Sequence, residues 1–172
     1  MSIIPDNKNW TWVLEHPCPE CAFDASRITG LEVAGMVRDN AGAWNAILSS
    51  RLNPRLRPRA DTWSPLEYAC HARDVMRLGH LRVSLMANED VPVFANWDQN
   101  ATAIADRYDL AEPEVVAVEI DDAAMMLSRL LDSIAPQAWS RTGMRSDGSG
   151  FSIDSFARYL VHDLVHHIYD VS

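Results

Sequence analysis

Four stretches of this chain bring apolar residues round at steps of three and four, and no stretch alternates convincingly between apolar and polar residues. Together these patterns point away from sheet-based folds, because an amphipathic helix needs the first period and a half-buried strand needs the second. The first stretch begins at Thr29 and runs through Leu31, Ala34, Val37, Ala41, Trp44 and Leu48. The second has the clearest start. Ser64 is placed to cap first-turn N–H groups, Pro65 sits where its missing donor costs nothing, and Glu67 completes a capping box. It then carries two apolar stripes, one through Tyr68, His71, Val75, Leu78 and Leu85, the other through Leu66, Ala69, Ala72, Met76, Gly79, Val83 and Met86. A helix apolar on two sides belongs inside a bundle. Pro113 opens the third stretch, with Val116, Ile120, Ala123, Leu127, Leu130 and Ile134, and Ser152 caps the last, with Phe156, Leu160, Leu164 and Ile168. The expectation is an all-α four-helix bundle.

The segments between are less regular. Residues 1–26 read as an irregular arm containing Trp and Cys, and residues 27–172 as the bundle. Residues 88–112 form a long connection with a short helix around Thr102 to Arg107. Pro136 to Gly150, broken by three glycines, reads as a loop or an irregular hairpin.

At 172 residues and 48% apolar content, the chain is about one domain with one sizeable core. Its net charge of −9, with a single lysine, argues against general binding of nucleic acid. Arg51, Arg55, Arg57 and Arg59, interrupted by Pro54 and Pro58, read as a solvated loop, with a phosphate or acidic-partner site as the lesser reading. No stretch approaches a membrane span, and the start MSIIPDNKNWTW lacks a secretory pattern. With an odd number of cysteines besides, the expected thiols are reduced and the expected location is the cytoplasm.

Histidines carry the chemical signal. His162 and His166 lie about 6 Å apart along a helix and roughly 40° apart around it, as two imidazoles binding one ion require. The alternative is a polar helix face, since Ile153, Phe156, Leu160 and Leu164 lie nearly opposite. His71 sits in an apolar stripe, where an unpaired imidazole is costly to bury; it is a satisfied core histidine or a third ligand. The three make a plausible divalent metal site, with zinc, nickel or iron all suited to imidazole. Three neutral imidazoles leave a four-coordinate ion one open position for water or a thiolate. His80 points half a turn away, and His167 is read as a packing or outer contact. His16, Cys18 and Cys21 in H-P-C-P-E-C offer soft ligands, but no second cysteine pair completes that set.

The segments WSPLEYACHARDVMRLGHLRVSLM, NWDQNATAIADRYD and FSIDSFARYLVHDLVHHIYDV resemble the DinB-like (DinB/YfiT) superfamily, in an actinobacterial branch close to the metal-binding domain of mycothiol-dependent maleylpyruvate isomerase. The resemblance covers residues from about 27 to the end. It implies a bundle with long crossover connections, often a homodimer, with metal ligands at His71, His162 and His166. In the isomerase branch the first ligand of the last-helix pair is a glutamate, so His162 points to the all-histidine branch. The implied activity is a metal-dependent S-transferase or isomerase joining a mycothiol-like thiol to a small electrophile; the alternative is a non-catalytic metal-binding or stress-response protein. Outer residues expected around the ion are Asp74, Asp163 and Asp170 as acceptors for imidazole N–H groups. Trp97, with Tyr108, is expected over the open site, and Arg158 at a substrate carboxylate.

Overall fold

The computed structural model describes residues 9–50 and 52–172. Helices α1 (Gly30–Ser50), α2 (Pro65–Asn88), α3 (Gln99–Ala105), α4 (Pro113–Ser133) and α5 (Ile153–Asp170) follow in order, and all but the short α3 build the bundle. Their starts are where side-chain chemistry places them. Ser64 and Glu67 form the reciprocal capping box with Pro65 in the first turn, Pro113 opens α4, and Ser152 caps α5 with Ser155 as its box partner. Helices α1 and α2 scarcely touch; each packs along α4 and α5. The first two bundle helices, α1 and α2, therefore stand on opposite corners, as do α4 and α5, and the order around the bundle is α1, α4, α2, α5.

The core between them holds Trp44, Leu66, Met76, Ile120, Leu127, Ile153 and Leu164, all essentially buried. Each such side chain contributes about 1.5–3 kcal/mol relative to exposure. Asn40 Nδ2 donates to Leu164 O at 2.9 Å and ties α1 to α5. Gly79 lets α2 and the antiparallel α5 approach closely, since a Cβ there would lie 2.2 Å from Leu160 Cδ1. Two turns earlier on α2, that approach brings His71 to face the middle of α5.

The connections hold more structure than their sequence promised. A small sheet, ordered β1 (Val93–Phe94), β2 (Thr142–Arg145), β3 (Gly150–Ser152), pairs β1 with β2 in parallel and β2 with β3 as an antiparallel hairpin. Strands of two to four residues are too short to show a period, so periodicity reveals only the possible hairpin. Gly143 matters here: a Cβ would meet Met86 Cγ at 2.7 Å. The arm crosses α5 through two 3₁₀ turns, Trp10–Leu14 and Ala25–Arg27. Arg51 and residues 1–8 lie outside the described residues. The other arginines of that stretch meet acids: Arg55 pairs with Glu112, Arg57 with Glu67 and Arg59 with Asp61. Among the described residues, no helix is long and apolar enough to cross a membrane.

Candidate metal centres

Helix α5 carries the sequence His162-Asp163-Leu164-Val165-His166-His167. Each residue advances the helix about 100°, so this run holds two i,i+4 pairs, His162 with His166 and Asp163 with His167, facing different neighbours. Leu164, fully buried in the core, fixes which way each pair points.

The Asp163–His167 pair faces α2. The donor atoms of His71, Asp163 and His167 gather within 4.8 Å of one another. Asp163 reaches His71 Nε2 with one oxygen at 3.7 Å and His167 Nε2 with the other at 3.0 Å. Asp170 takes the far side of His167, with Oδ2 2.8 Å from Nδ1. His71 is fully buried, and neither of its ring nitrogens has a hydrogen-bond partner among the described residues. Trp97 stacks on it at 5.1 Å and 4°, Trp63 lies at 5.3 Å, and the His167 ring stands on edge at 4.7 Å.

The His162–His166 pair faces the arm. Its donor atoms meet those of Cys18 and Cys21, again all within 4.8 Å. Cys18 Sγ lies 3.6 Å from His166 Nδ1, while His166 Nε2 faces Glu20 at 3.4 Å and Asp170 at 3.7 Å. His162 Nε2 is buried without a hydrogen-bond partner. The Trp10 ring covers both imidazoles, with centroids at 5.6 and 5.3 Å.

The anticipated trio of His71, His162 and His166 is thus divided between two groups. The physical reason is one residue of helix phase: His71 faces the pair that begins at Asp163, about 100° round from the pair that begins at His162. Asp163 and His167, expected as outer groups, are donors in the α2-facing group. Asp170 is where an outer acceptor was expected, on His167. Asp74 is engaged elsewhere, with Arg73 at 2.8 Å and with the Tyr108 hydroxyl, which donates to it. Tyr108 is buried there and does not line the cleft. Arg158 pairs with Asp154 at 2.9 Å and donates to Ala25 O at 3.0 Å, so it ties the arm down. Trp97 does stand over His71. His16 is exposed and outside both groups.

Protonation states are mixed: burial works against the His167 imidazolium, but Asp163 and Asp170 more than offset it and raise the group to about 9, so a cation binding there displaces a proton. Burial holds the imidazoles of His71 and His162 below their ordinary value, the latter at about 4, so both are neutral near pH 7. Burial works against the Asp163 carboxylate, but His167 and His71 more than offset it and keep the group ionised. Burial pushes the Cys21 thiol up to about 11, with neighbouring Cys18 adding to the rise.

Both groups border a cleft of about 1370 Å³, lined by Asp163, His167, His162, His166, Trp97 and Trp63 among others. Its far end holds Arg82 and Arg145. Arg82 is 8% exposed, lies over the rings of Phe94 and Phe156, and donates to Ala95 O at 2.8 Å. Arg145 has Asp147 at 2.8 Å, whereas no carboxylate pairs with Arg82 among the described residues.

No family model matches the sequence, and no curated protein matches it significantly. A solved structure does match: that of YfiT from Bacillus subtilis, described as a probable metal-dependent hydrolase with an unusual four-helix bundle topology. The TM-score is 0.72 at 14% identity, over 91% of this chain and 88% of that one. The chain has the YfiT fold. The YfiT-type bundle is the architecture expected from the helical periods and from the resemblance. His71, Asp163 and His167 fit a divalent cation on this structure's own terms. They are two imidazoles and one ionised carboxylate, and the buried nitrogens of His71 have no other partner.

Proposed function

We propose that this protein is a metal-dependent enzyme of the DinB/YfiT type, holding zinc or a similar divalent cation on His71, Asp163 and His167. Its reaction joins a low-molecular-weight thiol to a small electrophile, by S-transfer or thiol-dependent isomerisation. The observation that carries the reading is the incomplete donor set beside the cleft: three donors converge, and 36% of the Asp163 side-chain surface remains open. Three protein ligands with a free position are the mark of a reactive site. A cation so held supplies Lewis acidity, favouring the deprotonated form of a thiol or water that reaches it.

The chain's own residues do the rest. Asp170 holds the His167 ring so that Nε2 faces inward, and Trp97 and Trp63 wall His71 from solvent. Arg82 is pulled down to about 10 by burial and by Arg145, which still leaves it charged. A buried guanidinium without an acid is suited to an anionic group on substrate or cosubstrate. The pair Asp163–His167 puts a carboxylate first, as the isomerase branch that the sequence resembles does with a glutamate, which favours a thiol. Water as the nucleophile would instead give hydrolysis, the reaction class given for YfiT.

The test is turnover of a model electrophile, such as a halonitrobenzene, with a panel of small thiols and with none, in zinc-loaded wild type, His71→Ala and Asp163→Asn. A thiol-dependent rate lost in both variants supports the reading. Rate without thiol, lost in the same variants, replaces transfer by hydrolysis. No metal-dependent rate with any nucleophile leaves a non-catalytic metal-binding protein.

A further inference from the structure

We propose that Cys18, Cys21, His162 and His166 form a second, closed metal site that takes zinc and fastens the N-terminal arm to α5. It uses none of the donors of the reactive site above, although Asp170 contacts a histidine of each.

Four side chains from two distant parts of the chain supply two sulfurs and two ring nitrogens, all mutually within 4.8 Å. That is the donor set of a structural zinc site. The spacing fits as well. Bonds of about 2.3 Å to sulfur and 2.05 Å to nitrogen at a tetrahedral angle place S and N about 3.6 Å apart; Cys18 Sγ and His166 Nδ1 are 3.6 Å apart. Both cysteines are unbridged, although the donor atoms are close. The loop between them is shaped for it. Cys18 N–H donates to Phe23 O at 2.8 Å, Ala22 N–H donates to Cys18 O at 2.9 Å, and Ala22 takes the left-handed φ of 60° that closes so tight a turn.

The surroundings are those of a bound ion. Nδ1 of His166 points at the sulfur while Nε2 meets the carboxylates of Glu20 and Asp170, the orientation that an outer carboxylate gives a ligating imidazole. His162 Nε2 is buried with nothing to bond. Cys18 is 1% exposed, and Trp10 lies over both rings. Four protein ligands fill every position of a tetrahedral ion, which makes the site structural even though His162 and His166 border the cleft. By fixing the arm, the site also fixes Trp10 and Glu20, which line the cleft beside the reactive group.

Cobalt substitution tests it by a readout other than activity. Wild-type protein loaded with Co(II) should show thiolate-to-cobalt charge transfer and the visible bands of a tetrahedral ion. Cys21→Ser should weaken the charge transfer, Cys18→Ser/Cys21→Ser should abolish it, and His71→Ala should leave it intact. Metal content should fall from two equivalents to one in the double variant and likewise in His71→Ala. Should the cysteine variants not fold, wild type alone decides: a mercurial reagent should release one zinc for every two thiols titrated. Absence of thiolate charge transfer in wild type, thiols that titrate without releasing metal, or a Cys18–Cys21 disulfide in protein prepared without oxygen would each overturn the site. Loss of the cobalt signature with retained thiol-transfer activity would overturn this inference and leave the proposed function standing.

Discussion

Two faces of one helix carry the two donor groups, and the partners they meet differ in kind. Toward the arm, α5 offers two imidazoles to two cysteines under a tryptophan lid; toward α2, it offers a carboxylate and an imidazole to one buried histidine beside an open cleft. Soft donors with all four positions filled favour permanence, while a mixed nitrogen and oxygen set with a position to spare favours turnover. The difference teaches that donor chemistry and closure, more than the number of histidines, separate the two roles.

The comparison is broken most readily through stability. With free zinc about a thousand times its Kd, the closed group should stabilise the fold by about 4 kcal/mol, read as a rise in denaturation midpoint on adding zinc. Cys18→Ser/Cys21→Ser should remove that rise and His71→Ala should keep most of it; equal loss in both would merge the two groups. Asp163→Asn should lower kcat/KM by about 100-fold or more, about 2.7 kcal/mol, with the cobalt–thiolate signal unchanged. Asp170→Asn should weaken metal binding about 10-fold to 100-fold. Because Asp170 faces His167 and His166 alike, a competition titration should find both affinities reduced.

The smallest effect belongs to the start of α2, one turn before His71. Burial would raise the Glu67 carboxylate, but Arg57 and the Ser64 N–H more than offset it and hold it below its ordinary value of 4.5. A depressed carboxylate stabilises the fold above its unfolded value, and the contribution is lost as pH falls from 4.5 through the lower folded value. Glu67→Gln should cost about 1–2 kcal/mol near pH 7 by chemical denaturation. Its penalty should shrink below pH 4.5, and a penalty that grew with acid would contradict this account.

The helices were legible because each announces itself locally: Ser64, Pro65 and Glu67 for α2, Pro113 for α4, Ser152 for α5. The sheet was not, because Val93 and Phe94 owe their pairing to Met144 and Arg145, some fifty residues away. For the donors, the sequence singled out His71, His162, His166, Cys18 and Cys21 as candidate ligands but read His167 as a packing or outer contact, because the grouping is a property of helix phase. H-x-x-x-H at 162 and D-x-x-x-H at 163 are offset by one residue, and choosing between them requires knowing which way Leu164 faces. The halves C-x-x-C and H-x-x-x-H of a two-cysteine, two-histidine set were both visible, but 140 residues lie between Cys21 and His162.

Leu164 packed in the core, Asn40 bonded to its carbonyl and Ser152 at the helix start together hold α5 in one phase. If α5 slid by a single position one way, Asp163 and His167 would be offered to the cysteines and Leu164 and Ile168 to His71; slid the other way, His162 and His166 would meet His71 and Val161 and Val165 the cysteines. The axial setting of one rod thereby decides what each of two pockets can hold, so a one-residue insertion ahead of residue 162 would scramble both centres at once without touching any ligand.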